Sequence, residues 1–230
     1  HNGVRNVFRM KILIGITIIA ISISVMIFLH EPLINMFLHE GSSSGNIQET
    51  FNYAKNYLYI MVIGIAPFVI SNCYNTTLKE SGQTVVPMKA GVLAVVFDIV
   101  LNYIFIFGKL GFPAMGVVGA AIATVISRFV ECGYLVIYTH IHSNDYPFIK
   151  YCYRTLKVPG SLVKKIIVTG APLMLNEFLW AGGLTLQTQA LSTKGLATVG
   201  GLNICNTIGN ISNCIFVTMG TTIAIVVGQL

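Results

Sequence analysis

Long apolar runs separated by short polar segments are the dominant pattern along this chain. No Asp, Glu, Lys or Arg occurs between Lys11 and Glu31 or between Lys55 and Lys79. Each interval is long enough for the roughly 20 residues with which an α-helix crosses a bilayer. Such runs lie at about 12–29, 53–78, 86–107, 115–139, 161–190 and 196–228. The pattern therefore predicts an all-α, polytopic membrane protein with about six transmembrane helices and no strands.

Composition agrees with lipid as the solvent. Hydrophobic residues make up 54% of the 230, charged residues only 10%, and the mean hydropathy is +0.76. A soluble domain carries roughly 25% charged residues, so a soluble enzyme, a secreted disulfide scaffold and a disordered tail are excluded. The cysteines have no spacing suited to zinc, and we expect them to be small buried residues; they are Cys73, Cys132, Cys152, Cys205 and Cys214.

The basic residues predict the orientation in the membrane. If the N-terminal segment is cytoplasmic and the helices alternate, ten basic residues lie on inner segments and three on outer loops, as the positive-inside rule requires. The inner residues are Arg5, Arg9, Lys11, Lys79, Lys89, Lys150, Arg154, Lys157, Lys164 and Lys165. The outer residues are Lys55, Lys109 and Lys194. Because no basic cluster is interleaved with aromatic residues, we do not expect a nucleic-acid partner.

The longest inner connection, 140–165, is basic and contains proline. We expect a solvated cytoplasmic loop there, with contact to anionic lipid as the alternative. His140 and His142 fit interfacial residues better than metal ligands. Within the fourth span, Arg128 and Glu131 are predicted to form an intrahelical pair. Close helix packing is predicted from the small residues Gly116, Gly119, Ala120, Ala121 and Ala123.

Two carboxylates lie deep in the predicted spans, where each costs about 2.5 to 3.5 kcal/mol and is a functional-site hypothesis. Asp98 lies about 14 to 17 Å from its charged flanks, and Asn102 shares its helix face. Glu177 lies roughly 18 Å from the inner flank, with Trp180 on its face and Pro172 a turn before it. For both acids the alternative is a buried carboxylate paired with a neighbouring helix.

Amides continue the polar pattern through the last two spans. A three-to-four spacing in the last span places four of them in one stripe, namely Asn203, Asn206, Asn210 and Asn213. This stripe either lines a wet cavity or makes interhelical hydrogen bonds. The amides are Gln187, Gln189, Asn203, Asn206, Asn210 and Asn213. No motif of an intramembrane protease occurs, so we predict that the protein is not an enzyme and needs no cofactor.

Several of these segments resemble the multidrug and toxic compound extrusion (MATE) family of secondary transporters. They are PFVISNCYNTTLKESGQTVVPM, DIVLNYIFIFGKLGFPAMGVVGAAIATVISR, GAPLMLNEFLW and MGTTIAIVVGQL. The resemblance implies a twelve-helix protein of two lobes, of which this chain is a fragment covering helices three to eight. Residues 1–145 then end the first lobe, 146–160 form a cytoplasmic inter-lobe loop, and 161–230 begin the second lobe.

The resemblance also implies functional residues. The candidates for cation coupling are Asp98, Asn102 and Glu177, with Na⁺ at Asp98 and Asn102 as one option. The family often has Asn at the first of these two positions and Asp or Asn four residues later, so here the acid occupies the position that is usually neutral. Substrate-binding candidates are Glu177, Trp180, Gln187, Asn206, Asn210 and, in the Ala-Ile-Ala-Thr motif, Thr124.

The predicted function is cation-coupled antiport, by Na⁺ or H⁺, that exports small amphipathic or cationic organic molecules. The setting implied is a bacterial plasma membrane, with lipid as the surroundings and a monomer at full length. One alternative is a lipid-linked oligosaccharide flippase of the same superfamily, which needs a large basic cavity. The other is a non-transporting membrane scaffold, which needs both carboxylates paired with basic residues.

Overall fold

A computed structural model describes residues 2–38, 47–146, 148–149, 158–194 and 196–229. The described residues form only helices and turns, so the predicted all-α class is confirmed. The helices are α1 (Asn2–Phe28), α2 (His30–Asn35), α3 (Ile47–Glu80), α4 (Val85–Phe107), α5 (Val117–Ile141), α6 (Gly160–Ser192) and α7 (Leu196–Gln229).

All six predicted spans are helical, and they correspond to α1 and to α3 through α7. Among the described residues, five helices are long and apolar enough to cross a membrane, namely α1, α3, α4, α5 and α7. The count of about six is therefore one higher than this criterion gives. Asn176, Glu177 and Pro172 lower the hydropathy of α6, which is continuous across its 33 residues nonetheless.

Helix α3 begins at Ile47, inside a connection that the sequence predicts to be polar and turn-like, and the short α2 lies just before that connection. The chain divides into two compact units, His1–Leu29 with Asn56–Lys165, and His30–Lys55 with Ile166–Leu230. The first unit holds α1, most of α3, α4 and α5. The second holds most of α6 and all of α7, whose side chains are almost all exposed. The predicted lobe boundaries stay a prediction.

The core of the first unit lies at the end of the bundle where α1 begins and α3 ends. The Phe8 ring packs edge-on against Tyr74, with centroids 5.1 Å apart, and against Phe148, with centroids 5.3 Å apart. Leu78, Ala90 and Leu135 are also fully buried in this core. Each such side chain stabilises the fold by about 1.5 to 3 kcal/mol when it is fully buried, so the segment after α5 is anchored beneath the bundle through Phe148.

A basic side chain joins α1 to α3 at the same end. The Lys11 ammonium lies 2.6 Å from Glu80 Oε2 and donates to Thr76 Oγ1 at 3.2 Å and to Thr77 Oγ1 at 3.4 Å. Because the Lys11 and Glu80 side chains are 25% and 56% exposed, the ion pair stabilises this contact by about 1 kcal/mol or less.

Helices α4 and α5 pack closely through small residues. A Cβ added at Gly119 would lie 2.7 Å from the Phe105 carbonyl oxygen of α4, and Ala121 and Ala123 are fully buried. The prediction of close packing is thereby confirmed for these residues. It is wrong for Gly116, which has open space around it and a φ of +54°; there glycine permits the left-handed backbone at which α5 begins.

The cysteines divide between the two units. Cys73 and Cys132 are half-buried, as small residues in helix interfaces, whereas Cys205 and Cys214 are exposed on α7. The expectation of burial is therefore wrong for the α7 pair, because α7 presents nearly all of its side chains outward. Cys152 lies outside the described residues.

Candidate membrane-embedded polar site

Asp98 is the centre of a small hydrogen-bonded cluster between α4 and α5. The Asn102 amide, one turn along α4, donates to Asp98 Oδ2 at 3.0 Å. The Ser127 hydroxyl of α5 lies 3.3 Å from Asp98 Oδ1. The carboxylate is therefore held from two sides, by its own helix and by the helix packed against it. Ser127 is only 4% exposed, so its contact lies inside the helix interface.

The Ser127 hydroxyl also lies 2.8 Å from the Thr124 carbonyl oxygen. One hydroxyl proton is thus shared between two acceptors, and the bond to Asp98 is the longer of the two. Thr124 joins the cluster through its backbone oxygen. The sequence prediction named Thr124 and missed Ser127, although Ser127 lies three residues further along the same helix face.

The donor set suits a proton or a monovalent cation. The cluster offers one carboxylate with a hydroxyl and a carbonyl oxygen beside it, and hard cations prefer such oxygen ligands; Asn102 faces the carboxylate with its amide nitrogen. In the part of the chain that the structure describes, no three His, Cys, Asp or Glu residues come close enough to hold a metal ion. The cluster therefore lacks the several carboxylates with which proteins bind divalent cations tightly.

Arg128 follows Ser127 directly but belongs to a different contact. Its guanidinium lies 3.1 Å from Glu131 Oε2, so the predicted intrahelical pair is confirmed. The same guanidinium stacks over the Phe68 ring of α3 at 5.1 Å from the centroid. Among the described residues no basic side chain lies within ion-pairing distance of Asp98. Asp98 is therefore not the neutralised partner of a buried cation there.

Glu177 and the other candidates of α6 and α7 lie in the second unit, and all of them are exposed. Trp180 is 65% exposed. The Asn206 and Asn210 side chains of α7 and Gln187 of α6 face outward in the same way. The structure thus brings together Asp98, Asn102 and the Thr124 backbone, and it describes Glu177 and its neighbours only within the second unit. The assigned roles of all these residues stay predictions.

The end of α5 carries the two histidines. The His142 ring stacks on Tyr138 with centroids 4.3 Å apart, and its Nδ1 lies 3.0 Å from the Tyr138 carbonyl oxygen. His140 Nδ1 lies 2.8 Å from the Val136 carbonyl oxygen. Both rings thus contact their own helix. The basic residues Lys150, Arg154 and Lys157 of the predicted loop lie outside the described residues.

Membrane-length helices with a hydrogen-bonded carboxylate in one of them define a polytopic membrane protein with a polar site inside its helical bundle.

Residues 1–104 match the MatE family model. A "Probable multidrug resistance protein NorM" from Thermotoga maritima is 32% identical over 76% of this chain and 36% of the relative. The relative of that name from Mannheimia succiniciproducens is 27% identical over 89% of this chain and 45% of the relative.

"Probable multidrug resistance protein YoeA" of Bacillus subtilis is 28% identical over 77% of this chain and 38% of the relative. These matches confirm the resemblance to the MATE family. The chain spans less than half the length of the relatives it matches. No solved structure matches the chain with statistical significance.

Proposed function

We propose that the chain forms part of a cation-coupled antiporter that exports organic cations or drugs and carries out no catalysis. The observation that carries the proposal is the Asp98 carboxylate within α4, held by Asn102 and Ser127. An ionisable group near the centre of a span costs about 2.5 to 3.5 kcal/mol, so such groups are rare and mark functional sites. The relatives' names, which describe multidrug resistance proteins, support the same reading.

Antiport requires the coupling ion and the substrate to favour different conformations, since a ligand that binds both states equally shifts nothing. A carboxylate between two helices supplies such a bias. When Asp98 takes up H⁺ or Na⁺, its charge is neutralised and the hydrogen bonds from Asn102 and Ser127 rearrange. The relative free energy of the α4–α5 arrangements then depends on the ion, and the ion gradient drives the cycle.

Substrate binding is proposed for the α6 and α7 candidates. Glu177 supplies a negative charge for a cationic substrate, and Trp180 supplies an aromatic face that favours organic cations. Gln187, Asn206 and Asn210 add polar contacts. Thr124 would contribute from the Asp98 cluster, which it joins through Ser127. We further propose a bacterial plasma membrane, a cytoplasmic 140–165 loop and a monomer at full length.

Transport of ethidium into inverted vesicles containing the full-length protein tests the proposal. Asp98→Asn and Glu177→Gln should each lower gradient-driven uptake at least about tenfold if the charge is essential to the driven step. Glu31→Gln is the matched control, since Glu31 is an exposed acid on the short α2. Imposing a pH gradient or a Na⁺ gradient separately identifies the ion. Uptake at the wild-type rate by both carboxylate variants would refute the carboxylate mechanism.

A further inference from the structure

The first unit contains a cavity with a mostly apolar lining at the end of the bundle opposite the α4–α5 turn. The cavity is half-open and has a volume of about 430 Å³, within the roughly 300 to 1,000 Å³ range of small-molecule sites. Its lining comes from the start of α1, the end of α3 and the segment after α5. We call this cavity the vestibule.

The floor of the vestibule is buried and aromatic. Thr77, Tyr146 and Phe148 are exposed by only 2%, 6% and 4%. The Tyr146 and Phe148 rings lie 6.1 Å apart between centroids, and burial is the main cause that raises the pKa of the Tyr146 phenol. Phe148 also packs on Phe8 in the core, so the floor is fixed by the fold.

The rim of the vestibule is exposed and polar. Glu80, Ser81, Gln83 and Asp145 all line it and are all exposed. The Glu80 charge is balanced by Lys11 at 2.6 Å. Asp145 has no basic side chain within ion-pairing distance among the described residues. Within the part of the chain that the structure describes, the rim thus carries the Asp145 carboxylate without an ion-pair partner, above an aromatic floor.

From this arrangement we propose that the vestibule binds amphipathic organic cations as an access site, distinct from the Asp98 cluster. The apolar body of the ligand lies against Val4 and Val7 of α1, with Tyr146 and Phe148 beneath it, and its positive charge lies near Asp145. The inference rests on the proposed function, because it names where the exported cation first binds, and on the predicted orientation, which makes this end cytoplasmic.

Equilibrium dialysis with tetraphenylphosphonium, on the full-length protein in lipid nanodiscs, tests the site. The background carries Asp98→Asn and Glu177→Gln, so that the proposed central sites are removed. One saturable site should remain on this background. Adding Asp145→Asn should weaken it about two- to fivefold, as for an exposed charge pair, and adding Asp145→Lys about tenfold, because attraction becomes repulsion.

Glu31→Gln on the same background is the control and should leave the affinity unchanged. Asp145 is exposed, so its variants should fold, and their size-exclusion profile checks this. The vestibule proposal is overturned if the background binds no cation, or if Asp145→Lys binds as tightly as the background. Failure of the proposed function looks different, since wild-type vesicles would then transport nothing while Asp145 still controls binding in nanodiscs.

Discussion

The Ser127 hydroxyl holds Asp98 from the neighbouring helix, so we expect its loss to slow transport. Ser127→Ala removes the hydroxyl that lies 3.3 Å from Asp98 Oδ1. Gradient-driven transport should fall about fivefold, equivalent to roughly 1 kcal/mol for one net hydrogen bond. Initial rates of ethidium uptake in vesicles measure this change.

Ser127→Thr is the control, because threonine keeps the hydroxyl and adds only a methyl group. It should retain most of the transport that Ser127→Ala loses. Equal losses in both variants would mean that packing at this buried position, rather than the donor to Asp98, controls the rate.

Asp98 and Asn102 illustrate what the sequence can predict about a site. Their i,i+4 spacing places both on one helix face, and the observed hydrogen bond follows from that geometry. Ser127 is 29 residues away, and its contact depends on how α4 packs against α5. Periodicity within one helix does not determine how two helices are rotated against each other. The sequence therefore predicts Asp98, Asn102 and Thr124 but not the Ser127 contact that joins the two helices.

The close packing of α5 against α4 at Gly119 leaves no room for a side chain, so we expect a larger residue there to destabilise the helix pair. Gly119→Ala places a Cβ about 2.7 Å from the Phe105 carbonyl oxygen, a backbone atom that moves only with its helix. Overpacking of this kind destabilises by about 1 to 3 kcal/mol. The apparent melting temperature of the full-length protein, followed by size exclusion after heating, should therefore fall.

Gly133→Ala is the matched control on the same helix. An added Cβ there meets no atom within 4 Å, and alanine favours the helix by about 1 kcal/mol relative to glycine. The control should be neutral or stabilising. If Gly119→Ala is equally well tolerated, then α4 and α5 do not approach as closely as the structure indicates.

Helix existence is predicted well because a span needs only apolar length, and α4 (Val85–Phe107) agrees with its predicted 86–107 within a residue. The N-terminal boundaries of α1 and α3 are predicted poorly. Both helices begin earlier than predicted, in polar sequence, α1 at Asn2 and α3 at Ile47. Outside the apolar run, helix formation depends on capping and tertiary contacts, such as those of Phe8, which hydropathy does not record.

Two exposed lysines, one on each side of α5 in the chain, can report how the chain is arranged in the membrane. Lys109 follows α4 and Lys164 lies in the first turns of α6, and both are exposed. Because α5, which is long and apolar enough to cross a membrane, lies between them in the chain, they should lie on opposite sides. In a variant whose native cysteines are replaced by serine, Lys109→Cys should react with a membrane-impermeant thiol reagent in intact cells. Lys164→Cys should react only in inverted vesicles.

The result decides more than the orientation, because the vestibule and the Asp98 cluster depend on it differently. Labelling of Lys164→Cys in intact cells would place the vestibule on the outer side, where a cation bound by Asp145 is leaving rather than arriving. The Asp98 cluster lies within α4 and α5 whichever way the helices run. Labelling of both positions from one side would instead mean that α5 does not span the membrane, and the contact between Ser127 and Asp98 would then not join two transmembrane helices.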